Sequence, residues 1–370
     1  MYIYADNAAT TKLDPDAFAA MEPFLKEEFG NPSQPYSFAG ACKKALKGAK
    51  EVVAECINAE PDEIYFTSGG SEGDNWAIKN GSSNYNSVLT SSIEHHAILS
   101  SCGSVERKGI NVIYLPVEHN GVVSPEQLAK HLAVRPSLCS IMTANNEIGT
   151  IEPIEELAHI AHKHNSIFHT DAVQAVGHIP IDVKALDIDI LSASGHKFNG
   201  PKGIGFQYIR RGVTIAPLID GGSQQSGYRA GTENIAGIVG MATALRKSCA
   251  RIQSESERLR RMEKTFLDVL NDEKIDYIRN GAEKRLPGNI NVSFRGASGE
   301  MLLHRLDLMG IYVSTGSACD SKETQISHVI KAIDVPKEYA KGTIRITFGS
   351  INDESDATDV AKAIIKILKS

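Results

Sequence analysis

The chain has 370 residues, of which 42% are hydrophobic and 23% charged, a balance typical of a globular protein with a large core. Its net charge of −6 argues against a dedicated nucleic-acid surface, so we expect no direct, stable nucleic-acid binding. No apolar run approaches the about 20 residues of a membrane span, and residues 1–6 do not resemble a signal peptide, so a cytoplasmic protein without a membrane partner is expected.

The chain begins with two predicted helices. Asp14 can cap the first helix and Pro15 suits its first turn, so this helix is predicted to run to about residue 28. Residues 29–32 contain glycine and proline and break it. Residues 37–57 carry alanine, leucine and valine at helical spacing, which predicts a second helix.

The next part of the chain alternates between strand and helix patterns. Strands are predicted at 64–67, 87–90, 112–115, 138–143, 166–170, 189–192 and 204–208, and helices at 71–79, 95–108, 124–133 and 154–164. This alternation predicts an α/β fold with a mostly parallel sheet. Functional sites are expected at the carboxyl ends of its strands.

The last third of the chain has a different pattern. Residues 234–271 predict one long or broken helix that leads into a second domain. Strands at 289–294 and 343–348 and helices at 299–309 and 353–368 then predict a small α+β domain. We therefore expect a large domain over 14–257, and a small domain that combines 1–13 with 258–370.

Lys197 follows the predicted strand at 189–192 in the run Ser194-Gly195-His196-Lys197. A lysine at a strand end can be removed from water, which lowers its pKa and lets it form a Schiff base with an aldehyde. Ser194 and His196 could bind phosphate oxygens beside it. Taken alone, a loop lysine is more often simply exposed; the surrounding residues favour the functional interpretation.

Other polar residues also follow predicted strands. Gly70 and Ser71 lie in a glycine- and serine-rich turn before a helix, where free N–H groups favour a phosphate. Asp171 could keep a pyridine nitrogen protonated, although taken alone it is more often a helix cap. His95 could stack on a flat ring and transfer protons, although a surface histidine is more common. Asn146 lies in a segment that could be a plain turn.

Cys319 differs from the other five cysteines, which lie in apolar helix or strand patterns. It lies among glycine, serine and threonine in residues 314–321, where a thiol can stay accessible and act as a nucleophile. The six cysteines include no CxxC pair, so neither a metal site nor a local disulfide framework is predicted.

Together these segments resemble a class V aminotransferase-fold enzyme, specifically a cysteine desulfurase of the NifS/IscS type. The resemblance covers nearly the whole chain and rests on many motifs in the same order. They are residues 4–11, 29–33, 67–75, 94–95, 145–149, 194–197, 229–232, 314–321 and 344–347.

The resemblance implies a pyridoxal-phosphate enzyme of fold type I that forms a homodimer. Lys197 would carry the cofactor as a Schiff base, and Cys319 would form a persulfide. The remaining implied roles are stacking by His95, pairing with the pyridine nitrogen by Asp171 and with the phenolic oxygen by Gln174, binding of the phosphate by Gly70, Ser71, Ser194 and His196, contact with the partner's phosphate by Thr232, and binding of cofactor and substrate by Asn31, Asn146 and Arg345.

The implied reaction converts L-cysteine to L-alanine and leaves the sulfur on Cys319. A sulfur-acceptor protein would then take it, for iron–sulfur cluster assembly or for thiolation of tRNA or other acceptors. The alternatives are a selenocysteine lyase and a sulfur donor dedicated to nucleic-acid thiolation. An ordinary aminotransferase would need no Cys319, and a non-enzymatic dimer could serve as an assembly platform.

Overall fold

The computed structural model describes residues 2–316 and 326–370. The strands are β1 (Ile3–Tyr4), β2 (Ile64–Thr67), β3 (Ser87–Ser91), β4 (Asn111–Leu115), β5 (Leu138–Ser140), β6 (Ile167–Asp171), β7 (Ile190–Ser194), β8 (Gly205–Ile209), β9 (Tyr277–Arg279), β10 (Asn289–Phe294), β11 (Ile311–Tyr312) and β12 (Thr343–Thr347). The helices are α1 (Pro15–Lys26), α2 (Gly40–Ile57), α3 (Gly70–Gly81), α4 (His96–Glu106), α5 (Pro125–Leu132), α6 (Ile154–Lys163), α7 (Ile235–Cys249), α8 (Ile252–Asp272), α9 (Gly299–Leu308), α10 (His328–Ala332), α11 (Lys337–Ala340) and α12 (Glu354–Leu368).

The central sheet has seven strands in the order β2-β8-β7-β6-β5-β3-β4. β8 runs antiparallel to both its neighbours, and the other pairs are parallel. On β3, Val88 packs with Ile78 of α3, whereas the next residue, Leu89, belongs to the core cluster that contains Leu157 of α6. Because successive strand residues point to opposite faces, helices cover both faces of this sheet.

A second core forms around the three-stranded antiparallel sheet β12-β10-β9. It contains residues of α8, α9 and α12 and also Ala5, which follows β1. β1 pairs with β11, and Asp6 bridges to Thr347 of β12, so the start of the chain joins this second core. The domain boundary between residues 257 and 258 stays a prediction. Two domains require two separate cores, and the structure has them.

The predicted α/β fold with its mostly parallel sheet is confirmed. The stretch 234–271 forms two helices, because the chain turns at Ala250 and Arg251 between α7 and α8. β5 ends three residues before its predicted end, although the N–H groups of Ile141 and Thr143 still donate to carbonyls of β6. In the described ranges, no helix combines the length and the apolar character needed to cross a membrane.

Candidate active site

A cavity of about 570 Å³ opens where β6 and β7 end and α3 begins. Parallel strands present their carboxyl ends at one edge of a sheet, and that is where this cavity lies. It brings together most of the residues predicted from the sequence: Gly70, Ser71, His95, Asn146, Asp171, Gln174, Ser194, His196, Lys197 and Arg345.

Lys197 lies in a short helical turn directly after β7. Its Nζ donates to the backbone oxygens of Ala8, at 2.6 Å, and Ala9, at 2.9 Å. The residues that follow β1 therefore cross beside this amine and fix its direction. Gln174 is held by the same segment, because its Nε2 donates to Ala8 O at 3.0 Å.

Asp171 is the last residue of β6 and is 5% exposed. Its Oδ1 accepts a hydrogen bond from the Val173 N–H at 2.9 Å. Burial raises the pKa of this carboxyl, while His95, the Val173 N–H and Lys197 favour its ionised form. A buried carboxylate beside the Lys197 amine is suited to hold a protonated ring nitrogen.

Asp74 of α3 lies behind this carboxylate. One carboxylate oxygen of Asp74, one of Asp171 and a ring nitrogen of His95 all lie within 4.8 Å of one another. Asp74 is 1% exposed, and its pKa is raised well above the usual range, first by burial and then by Asp171. Two carboxyls this close do not both ionise easily, so the site holds one negative charge more readily than two.

The N-terminus of α3 forms a cradle beside these groups. The helix begins after Gly69, which has no side chain to cap the free N–H groups of the first turn. A Cβ on Gly70 would lie 2.4 Å from Cγ2 of Val173. The backbone at this position can therefore lie this close to Val173 only if the residue is glycine. Free N–H groups at a helix start favour a phosphate, and Ser194 lies beside them.

Arg345 of β12 reaches the cavity from the second core and is 5% exposed. Its Nη2 donates to Asp6 Oδ1 at 2.6 Å and its Nη1 to Asn146 O at 3.1 Å. Its Nε is buried and has no hydrogen-bond partner among the residues that the structure describes. A guanidinium held in this way can receive a carboxylate from a ligand.

His196 precedes the lysine and contacts the N-terminal segment. Its Nδ1 lies 3.1 Å from Thr10 Oγ1. Burial, helped by Lys197 and Lys202, lowers the pKa of His196 to about 4, so this imidazole is neutral at neutral pH. A neutral imidazole can donate one hydrogen bond, for example to a phosphate oxygen.

The described chain does not bring every predicted residue into this cavity. Asn31 lies elsewhere, where its Oδ1 accepts from the Ser33 N–H at 2.9 Å. Thr232 is exposed and lines a separate small cavity. Cys319 lies outside the described residues, but Gly316 before it and His328 after it both line the cavity.

Sequence reasoning missed several polar residues in or beside the cavity, namely the buried Asp74 and Glu94 and the partly buried Asp6 and His328. Glu94 is fully buried, and burial raises its pKa to about 8. Its backbone oxygen lies 3.0 Å from Nε2 of His328. Asp6 and Glu94 lie inside the segments 4–11 and 94–95 that carry the resemblance, which is the signal that could have identified them.

Comparisons with known proteins agree with this geometry. The family model for aminotransferase class-V matches residues 3–360. The chain is 48% identical to the cysteine desulfurase IscS of Dictyoglomus turgidum, with 100% of this chain and 95% of that protein covered.

Two solved structures show the same similarity. One is a NifS-like protein with 36% identity, a TM-score of 0.93 and 100% of both chains covered. The other is SspA, solved in complex with cysteine, with 35% identity and a TM-score of 0.83 over 94% of this chain and 98% of SspA. The chain therefore belongs to the class V aminotransferase family, and within it to the cysteine desulfurases, which are pyridoxal-phosphate-dependent enzymes.

Proposed function

We propose that this chain converts L-cysteine to L-alanine and keeps the released sulfur as a persulfide on Cys319. The position of the residues around this cysteine carries the proposal. Ser314 and Gly316 before it and His328 after it all line the cavity that contains Lys197. Described residues on both sides of Cys319 in the sequence thus lie in the wall of the same cavity.

The residues present fit pyridoxal phosphate, because the cavity combines a lysine amine, a buried carboxylate, a flat imidazole and a helix N-terminus. When bound, this cofactor supplies an aldehyde that condenses with amines and a ring that accepts the electrons released at Cα. Lys197 would hold it covalently and Asp171 would pair with its ring nitrogen. The other proposed contacts are those of Gln174 with the phenolic oxygen, of Gly70, Ser71, Ser194 and His196 with the phosphate, and of Asn146 with cofactor and substrate.

Three side chains of this protein would carry out the steps of the reaction. Arg345 orients the substrate carboxylate, and the Lys197 amine removes the Cα proton. The Cys319 thiolate attacks the substrate sulfur, so that an S–S bond forms while the Cβ–S bond breaks. Cβ takes up a proton, Cα takes a proton back from the Lys197 ammonium, and L-alanine leaves while the sulfur stays on Cys319.

A homodimer in the cytoplasm and a sulfur-acceptor protein belong to the same proposal. Thr232 is exposed and does not line the cavity of Lys197, as expected of a residue that acts in the partner's site. An exposed set of apolar side chains, suited to a subunit contact, lies on α1 and just after it: Phe18, Leu25, Phe29, Tyr36 and Phe38. The acceptor would take the sulfur for iron–sulfur cluster assembly or for thiolation.

The test is to supply L-cysteine and a reductant to the cofactor-loaded protein and to quantify alanine and sulfide. Wild type should release them in equal amounts, and Cys319→Ala should release neither while it keeps the absorbance of bound cofactor. Cys56→Ala, which changes a cysteine that does not line the cavity, is the matched control and should behave as wild type. No alanine from cofactor-loaded wild type would contradict the proposal, and selenocysteine would then be tried as the substrate.

A further inference from the structure

His95 has a structural task besides lining the active-site cavity. It is the N-cap residue of α4, with an extended backbone conformation. Its Nδ1 accepts a hydrogen bond from the Ala97 N–H at 3.1 Å. Side-chain caps of this kind satisfy one of the N–H groups that a helix start leaves without a partner. A side chain expected to work on a cofactor is thus also tied to the backbone of its own helix.

The cap decides where the ring of His95 carries its proton. A neutral imidazole has one nitrogen that accepts and one that donates. Because Nδ1 accepts from Ala97, the single hydrogen of the neutral ring is on Nε2. Placing a second proton on Nδ1 would turn it towards another N–H group and break the cap. Loss of such a cap destabilises the start of the helix.

The charges around His95 also oppose its protonation. Its pKa is lowered mainly by burial, and Lys197, His96 and His328 add to this effect. Asp171 acts in the opposite direction, and the raised pKa of that carboxyl limits how far it does so. The Asp74 carboxyl also lies within 4.8 Å, but its pKa is raised well above the usual range, which favours its neutral form. The cap and the electrostatic surroundings therefore favour the same neutral form.

We infer that His95 works in this site as a neutral hydrogen-bond donor through Nε2–H and as a flat surface, and that it accepts no proton during the reaction. The inference rests on the proposed function, because it concerns the same bound cofactor and substrate. It assigns removal of the Cα proton to Lys197 alone. An acceptor atom of the cofactor or of the amino-acid substrate would then meet Nε2–H.

The direct test is NMR of protein labelled with ¹⁵N only in histidine, with the His95 signals assigned through the His95→Asn variant. Long-range ¹H–¹⁵N spectra distinguish a protonated ring nitrogen from an unprotonated one. The expected result is an unprotonated Nδ1 and a protonated Nε2 from pH 7 to pH 9, both in cofactor-free and in cofactor-loaded protein. A proton on Nδ1 anywhere in this range would overturn the inference. This readout does not depend on turnover.

Two variants test the same idea through the reaction. His95→Gln supplies an amide N–H donor but no base, whereas His95→Ser retains a side-chain cap and neither the donor nor the flat ring. Loss of a general base costs about 10²–10⁴-fold. If His95 only donates, His95→Gln should keep kcat/KM within about tenfold of wild type, with the acid limb of the pH profile unchanged, and His95→Ser should lose more.

A fall of more than about a hundredfold in His95→Gln, with unchanged cofactor affinity, would make His95 a base and overturn the inference. Alanine release by wild type is measured in the same assay. If wild type releases no alanine, the proposed function fails, while the NMR result still decides the protonation state of His95.

Discussion

Replacement of Glu94 by glutamine should stabilise the protein relative to wild type, and this difference in the free energy of unfolding should grow as the pH rises. The Glu94 side chain is fully buried, with Oε1 accepting from Ser91 Oγ at 2.7 Å and from the Met142 N–H at 3.0 Å. Glutamine preserves this acceptor. The other oxygen, Oε2, is buried without a hydrogen-bond partner in the described ranges, so the amide displaces no existing bond.

The magnitude follows from the pKa of Glu94, which burial raises from 4.5 to about 8. The folded state therefore binds this proton more tightly than the unfolded state. Its contribution is fully present below pH 4.5 and is lost as the pH rises towards 8. Each pH unit inside this window removes about 1.4 kcal/mol. Between pH 5.5 and 7.5 the Glu94→Gln variant should gain about 2.5 kcal/mol relative to wild type, slightly less than the full slope because the wild-type carboxyl begins to ionise near pH 7.5.

Urea denaturation of the cofactor-free protein at pH 5.5, 6.5 and 7.5 measures this gain, because cofactor affinity then does not enter the difference. The exposed Glu118→Gln variant controls for the change in net charge. A stability difference between Glu94→Gln and wild type that stays constant across the three pH values would refute the reasoning.

Two further predictions concern an ion pair and a glycine near the site. Asp6→Asn removes one charge from the ion pair with Arg345, in which the Arg345 side chain is buried and the Asp6 side chain is 19% exposed. The free energy of unfolding should therefore fall by about 1–3 kcal/mol, and a double-mutant cycle with Arg345→Met that gives a coupling below about 0.5 kcal/mol would contradict this. Gly73→Ala would place a Cβ 2.3 Å from Oε1 of Gln207, so this variant should destabilise the protein by about 1–3 kcal/mol. A Cβ added at Gly48 would meet no atom within 4 Å, so Gly48→Ala should stabilise α2 by about 1 kcal/mol. Melting temperatures that change in the same direction in both glycine variants would show that close packing does not exclude a side chain at position 73.

The sequence predicted those features that depend on neighbouring residues. Asp14 caps α1 and Pro15 begins it, as their types indicate. The strand-end positions of Asp171 and Lys197 could be predicted because apolar runs end there. The number and type of the main elements followed from the same local patterns.

The sequence could not predict features that depend on contacts between distant parts of the chain. Asp6 and Arg345 are separated by 339 positions and meet only because β1 and β12 join the same core. The neutral state of Glu94 requires full burial, which a polar residue type does not suggest. The direction of β8 depends on the tight connection between β7 and β8, in which the Gly195 carbonyl accepts from the N–H groups of Phe198 and Gly200.

The pairing of the first residues with the last part of the chain has a consequence for biosynthesis. Ala5 and Asn7 exchange backbone hydrogen bonds with Tyr312 and Thr347, and the segment they belong to holds the amine of Lys197. A ribosome must therefore release most of the sequence before the lysine acquires its final surroundings. Such long-range pairing slows folding, so the large sheet is expected to form first and the cofactor to bind stably only after β12 has been added.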